Sequence, residues 1–538
     1  MTSVILIIAG TFALSSCQSK TGNKNKDITM QRFEHLRSET MEIEQDAIIR
    51  EIAKLCYADK DSTQTDHIVR TYYLKHRPFV WIDRYGISAK ADTLLSYLER
   101  VEDIGFKQES FDESSLRNDL DNLRRLRFNK ANNINVVMAR LEYHLTKAFL
   151  RYSVGHRYGF TNPYAYLNRL DPTDTDSTGR AMGYRRLFDI DIKRPGRQTY
   201  FHFLGKVTDD SIGPFLSRSE CREPAYTELK SLLRQTRDKH RRHLILINME
   251  RYRWRQTRHP SISDGRSIVV NIPAYHLYAY RPDSTLTMRI GCGSNKTKTP
   301  LLTSAIYRMD INPVWNIPMS ITRKDIARHA GDRSYFERRG YYIVERSSGK
   351  RIDPALVSAS MLTSGYYRVT QEGGDGNALG RIIFRFDNNF SVYLHDTSSR
   401  DVFSRNSRDV SHGCIRVEYP FELACFLLGD NADDWLVDKI RISMDMPPLS
   451  EKGIEYIEKQ EEKQKEDEMQ SEKEGDKMPR PRQRITHNLI RSQNVSPHVP
   501  LYITYLTLFK TPDGKWSEFP DVYGYDALTL RQLKPFFQ

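Results

Sequence analysis

No apolar run in this 538-residue chain is long enough to cross a bilayer. The longest at the N-terminus, Val4 to Leu14, has the length of a signal-peptide core. Mean hydropathy of −0.62 leaves no room for several membrane spans. The six cysteines, Cys17, Cys56, Cys221, Cys292, Cys414 and Cys425, include no CxxC pair, so a metal ribbon or thioredoxin-type motif is excluded. No cluster of His, Cys, Asp and Glu has ligand spacing, and neither a metal nor a cofactor is expected. A net charge of +13 raises the question of nucleic acid. However, Lys and Arg are spread throughout, without zinc-finger spacing or interleaved aromatics. No nucleic-acid partner is expected, and attraction to anionic envelope polymers is the milder reading. The length implies two or three domains, and 39 % hydrophobic residues suffice for real cores.

What the chain does contain is Ser411-His412-Gly413-Cys414-Ile415-Arg416-Val417, with fifteen residues between His395 and Ser411. A thiol nucleophile needs a base or cation beside it, backbone donors for the developing oxyanion, and room for an acyl group. His395 ends an apolar strand-like run of Phe390, Val392 and Leu394, which would hold its ring on a rigid element. Gly413 permits a sharp turn that aims the N–H groups of Gly413 and Cys414 at one carbonyl oxygen. His412 sits two residues before Cys414 on the same turn, so it suits positioning the loop or lining a substrate site better than acting as the base. The order His before Cys excludes the papain-like layout.

This string and spacing resemble the signature of the YkuD-type L,D-transpeptidases, cysteine enzymes that cross-link peptidoglycan. The resemblance implies Cys414 as nucleophile and His395 as its base, or as the imidazolium partner of a preformed thiolate. The residue after the base usually orients it; here Asp396 stands where the family more often has Gly, and either its carboxylate or its carbonyl can serve. Arg416 has a fork suited to stem-peptide carboxylates or to an ion pair within the fold. Ser411 is expected to bond within the turn and to border the substrate with His412, while Trp315, Asn316 and Tyr307 line the donor cleft. Thr370-Gln371 departs from the Arg-Gln common in relatives, leaving Arg368 as a substitute cation. The implied reaction attacks the third residue of a tetrapeptide stem, expels D-Ala and passes the acyl group to an amine of a second stem, giving a 3-3 cross-link. Rival readings are an L,D-carboxypeptidase or endopeptidase using the same Cys–His pair, a non-catalytic wall-binding lipoprotein, and a serine penicillin-binding enzyme. The last finds Ser347-Ser348-Gly349-Lys350 and Ser404-Arg405-Asn406, but Lys510-Thr511-Pro512 stands where Lys-Thr-Gly is required.

The N-terminal run ends in Leu14-Ser15-Ser16-Cys17, which resembles a bacterial lipobox, although no Lys or Arg precedes the run. Residues 1–16 are therefore expected to be a lipoprotein signal peptide, with an ordinary cleaved signal or an uncleaved membrane anchor as the alternatives. Cys17 is then the lipidated residue, and 17–65 a tether and helix. The protein would be a membrane-anchored, periplasm-facing lipoprotein of the cell envelope, with peptidoglycan stem peptides as partners.

The fold class expected is α+β. A mostly helical scaffold domain over 66–240 precedes a mainly β YkuD-like catalytic domain over 243–447. Ala91–Val101 and Val136–Tyr152 have helical periodicity, the latter through Met138, Leu141, Leu145, Ala148 and Phe149. Strands are expected at Leu244–Asn248, Met249–Trp254, Ser267–Ile272, Tyr275–Tyr280, Thr287–Gly291, Ser304–Met309, Tyr366–Thr370 and Ile382–Phe386, with a hairpin at Pro273-Ala274. The scaffold, Asn312–Pro318 and Asn377-Ala378-Leu379-Gly380 resemble the large YcbB-like branch of the family, without a clear peptidoglycan-binding repeat. In that branch, charged helical material such as that at 321–357 forms a capping insertion. Residues 448–495 form a charged low-complexity insertion, read as a solvated helix or disorder. Residues 496–538 return to complete the catalytic domain. Of the cysteines, Cys425 reads as a small buried hydrophobe.

Overall fold

The computed structural model describes residues 40–537, apart from 62, 84–85, 210, 255–264, 375, 430–431 and 474–487. The signal run, the lipobox Cys17 and the tether lie outside the described residues. The fold is α+β: a helical N-terminal half is followed by a strand-built C-terminal half.

The helical half is organised around α1, Ile134–Tyr158, which Asn133 caps by accepting from the Val136 N–H at 3.1 Å. The periodic residues Met138, Leu141, Leu145, Ala148 and Phe149 are all buried, but so are Val137, Tyr143 and Leu150. The helix is therefore central rather than one-sided, and it runs beyond the expected 136–152 at both ends. Its buried Glu142 accepts the backbone N–H groups of Val80, Trp81 and Ile82 at 2.5–3.0 Å, tying the Pro78–Trp81 anchor to the core. Trp81 is fully buried and donates its indole N–H to Thr146 Oγ1 at 3.0 Å. Trp81→Ala is expected to cost about 3–5 kcal/mol, through the cavity it leaves, as checked by urea unfolding. The second expected helix is α-helical over Lys90–Leu98 and tightens into a 3₁₀ turn through Ile104, where Gly105 at φ 77° stops it.

One expectation is overturned. Leu244–Asn248 and Met249–Trp254 are not strands; Lys239–Arg253 is a single helix, α2, capped by Asp238. Leu244, Ile245, Leu246 and Met249 sit in the scaffold core, so this helix is apolar nearly all round and shows no amphipathic period. Its polar residues are buried as well: Glu250 accepts from Thr161 N at 2.7 Å and pairs with Arg253, which reaches Tyr226.

The strand half is a closed eight-stranded barrel. In chain order its strands are β1 (Ser267–Asn271), β2 (His276–Tyr280), β3 (Thr285–Gly293), β4 (Leu301–Ile311), β5 (Ile382–Phe386), β6 (Leu394–His395), β7 (Ile415–Val417) and β8 (Ser492–Thr504). Around the barrel the order is β1-β2-β3-β7-β6-β5-β4-β8, and β8 pairs back onto β1. Two neighbours are parallel, β6 with β7 and β8 with β1; the rest are antiparallel. The β1–β2 hairpin lies at Pro273-Ala274. Alternate residues such as Ile268, Val270, Leu501 and Ile503 fill the barrel interior. Thus β8, from the far end of the sequence, sits between β1 and β4. The final helix, Tyr525–Phe537, sends Leu533 and Phe536 into the scaffold core, so the C-terminal segment clasps both halves.

The interruption expected to be helical at 321–357 is a small mixed subdomain. A four-stranded sheet, ordered Trp315–Asn316, Tyr367–Gln371, Tyr341–Glu345, Arg351–Ile352, joins short helical turns around a core including Ile326, Phe336, Ile343 and Val369. Its strands are two to five residues long, and the exposed charges between them hide their alternation. In the charged insertion, Glu451–Lys473 is one helix, anchored where the buried Asp438 accepts the N–H groups of Leu449 and Ser450. The five described cysteines are all free, and Cys425 is only half-buried.

Candidate active site

The parallel pairing of β6 with β7 aligns Leu394 with Ile415 and His395 with Arg416, and the Ile415 N–H donates to the Tyr393 carbonyl at 2.9 Å. Cys414, one residue before β7, thereby lies level with Tyr393, two residues before His395 on the neighbouring strand. The turn that presents it needs its glycine, because Gly413 has φ +120°. Inside the turn, the buried Ser411 hydroxyl donates to the Cys414 carbonyl at 2.6 Å and accepts the Gly413 N–H at 3.0 Å.

These bonds revise two expected roles. The Gly413 N–H is taken by Ser411 rather than left for a substrate, and no hydrogen bond of the Cys414 N–H is found among the described residues. Ser411 is likewise spent inside the turn rather than on a ligand.

A second layer holds the turn in place. Thr299 Oγ1 donates to the Gly413 carbonyl at 2.9 Å and accepts the Gly293 N–H at 2.8 Å, while Thr297 Oγ1 donates to the Ser411 carbonyl at 2.8 Å. Tyr523, from the C-terminal segment, donates to the Gly293 carbonyl at 2.6 Å. Neither threonine nor Tyr523 belongs to a local motif around Cys414, so only their long-range placement reveals them. Thr299→Val preserves the shape but orphans a buried carbonyl and a buried N–H. It is expected to cost about 1–3 kcal/mol in chemical unfolding.

His395 is buried, and its Nδ1 donates to the Asp396 backbone carbonyl. A carbonyl can only accept, so the neutral ring carries its proton on Nδ1 and Nε2 is the basic nitrogen. Burial, with the nearby Arg416 cation second, lowers the His395 pKa to about 4. Burial raises the Cys414 thiol to about 11, against smaller opposing effects of the Tyr393 backbone and Arg416. Both directions work against a preformed thiolate–imidazolium pair and suit the base role.

Of the two routes open to Asp396, the carbonyl is the one that meets the ring. Its carboxylate turns away, accepting the Arg381 N–H at 2.8 Å and pairing with Arg400 at 3.3 Å. Gly380 makes this possible: at φ +64°, a Cβ there would lie 2.4 Å from the Asp396 carboxyl. The buried Asn377 shapes the same turn, accepting the Leu379 N–H at 2.8 Å and donating to the Pro313 and Glu372 carbonyls.

Arg416 is half-buried and forms no ion pair among the described residues, and its Nε is buried without a partner. The internal salt bridge left open for it does not form. His412 is exposed, with Nε2 3.9 Å from Asp325 of the small subdomain, so that subdomain reaches the cysteine turn. Trp315 packs against the subdomain's own core, and Asn316 pairs across the same sheet with Thr370. Tyr307 stands on β4, two strands from β6, with its ring against His498 rather than at the Cys414 turn.

The fold is thus a closed barrel in which two adjacent parallel strands meet, β6 carrying His395 and β7 following Cys414. Residues 265–440 match the L,D-transpeptidase catalytic domain, YkuD, and residues 66–233 match the Scaffold domain. The chain thus carries a YkuD L,D-transpeptidase catalytic domain behind a Scaffold domain. A Haemophilus influenzae protein named "Putative L,D-transpeptidase" is 36 % identical over 174 residues, covering 32 % of this chain. The chain spans 35 % of that relative's length.

Proposed function

We propose that the protein is a peptidoglycan L,D-transpeptidase whose nucleophile is Cys414. The observation that carries this reading is the buried His395, fixed through Nδ1 by the Asp396 carbonyl on the strand paired in parallel with β7, which Cys414 immediately precedes. His395 Nε2 takes the thiol proton as Sγ attacks the carbonyl of the third stem residue. The oxyanion forms against the Cys414 N–H. On collapse, the imidazolium returns the proton to the departing D-Ala amine, leaving a thioester. The amine of a second stem then attacks, loses its proton through His395, and the thiolate leaves and is reprotonated, giving the 3-3 cross-link.

Arg416, a cation without a carboxylate partner, suits the stem carboxylates. The subdomain at 315–371, touching the turn through Asp325 and His412, suits exclusion of water from the thioester, which favours an amine acceptor over hydrolysis. The compartment that fits is the periplasmic side of the envelope, with Cys17 lipidated, and carbapenems would acylate Cys414.

Incubation with tetrapeptide-stem muropeptides is expected to yield D-Ala together with cross-linked dimers. D-Ala released without dimers would replace the transferase reading by a carboxypeptidase, and no release at all would remove the enzyme assignment.

A further inference from the structure

A cavity of about 700 Å³ lies on the far side of the barrel from Cys414, between the barrel wall and the scaffold. In the ring of strands, the β8–β1 pair that supplies Val269, Tyr502 and Thr504 to its wall stands opposite the β7–β6 pair that carries the cysteine and histidine. Val269 and Tyr502 are register partners, and their neighbours Ile268, Val270, Leu501 and Ile503 point into the barrel. The cavity therefore sits on the outer face and is roofed by the scaffold, at the end of α1 and the end of α2.

Its lining is cationic. Arg157, Lys193, Arg218, Arg222 and Arg251 border it, against the carboxylates Glu220 and Glu223. Arg251 is committed to Asp526 at 2.7 Å, and Glu220 accepts from Tyr152. Arg157 lies over the Phe203 ring and Arg222 donates to Ser217, and neither forms an ion pair among the described residues. Lys193 and Arg218 are exposed and have no ion pair among the described residues. Tyr158, Tyr252 and Tyr502 add flat amphipathic faces with hydroxyl edges. A cleft of this size accommodates a ligand of several rings. Its unanswered cations select for negative charge, and its tyrosines for rings that offer both an apolar face and hydroxyl groups.

We propose that this cavity is a second binding site, for a stem-free glycan segment whose lactyl carboxylates are exposed, by which the protein holds a wall strand apart from the stem engaged at Cys414. The choice of a wall glycan rests on the proposed function; the preference for an anionic, ring-built ligand rests on the cavity alone.

The test uses the full chain carrying Cys414→Ala and, as probe, wall glycan stripped of its stem peptides. That glycan bears free lactyl carboxylates and offers the catalytic cleft no peptide. Calorimetric titration is expected to show binding that weakens by about tenfold or more in Lys193→Glu/Arg218→Glu, since two unanswered charges are reversed. A control with the same charge change at exposed sites elsewhere, Lys130→Glu/Arg237→Glu, is expected to bind as the parent does. No binding, equal binding by both double variants, or equal binding of a single-stranded oligonucleotide would overturn the glycan site. Turnover of tetrapeptide stems by the unmodified protein is measured separately, so a failure of the transpeptidase reading shows there and not in the titration.

Discussion

Cys414→Ala is expected to lower D-Ala release from tetrapeptide stems by at least about 10³-fold, because removing a covalent nucleophile leaves only binding and the oxyanion donor. The substitution should be almost silent in stability. Cys414 is held by its backbone: its carbonyl accepts from Ser411, and the next residue's N–H donates to Tyr393. Loss of turnover with an unchanged unfolding midpoint assigns the effect to chemistry rather than folding. Full cross-linking activity in the variant would instead support a wall-binding lipoprotein without catalysis. The raised thiol pKa adds a signature. Alkylation of Cys414 by iodoacetamide should be slow at neutral pH and keep rising toward pH 11, since the thiolate fraction grows only as that pKa is approached.

His395→Ala is expected to reduce turnover by about 10²- to 10⁴-fold, the usual contribution of a positioned general base. In the parent protein, activity should persist as pH falls through 6.5 and decline only near 4, where the buried ring finally takes up a proton. Stability follows from the same shift. Between pH 6.5 and 4 the unfolded chain binds a proton at this histidine that the native state does not, so stability falls as pH falls through that window. At full development the loss is about 3 kcal/mol. The contribution is absent above pH 6.5, and His395→Gln should remove this component of the slope of unfolding midpoint against pH. A turnover profile that breaks near 6.5 would contradict the burial that defines the site.

Much of this was legible in the sequence because it was local. Cys414, His395 and their spacing lie in one short segment, and the amphipathic stretches around Leu94 and Leu141 announced their helices. Most barrel strands were readable from alternating residues at Ser267–Ile272, Tyr275–Tyr280 and Ile382–Phe386. Illegible features had either no periodicity or no neighbours. The helix Lys239–Arg253 is buried nearly all round, so its apolar run resembled a strand. The subdomain strands are too short and too charged to show a period. Ser411 and Gly413 were identified as parts of the turn, but which hydrogen bonds they make depends on its conformation. Tyr307 was placed in the cleft although β4 carries it to the β8 side of the barrel.

The sequence by itself determined which pair is proposed to react, because a thiol and an imidazole at that spacing, with a glycine between the serine and the thiol, need no distant partner to be recognised. Tertiary structure alone decided the rest of the site. It gave the Gly413 N–H to Ser411, turned the Asp396 carboxylate away behind Gly380, and left Arg416 without an ion pair among the described residues. It also brought Thr299 and Tyr523 beneath the turn across more than a hundred residues of chain. The physical reason is common to all of these: a hydrogen bond or an ion pair depends on which groups meet in three dimensions and how much water they lose. Those conditions exist only once the barrel has closed.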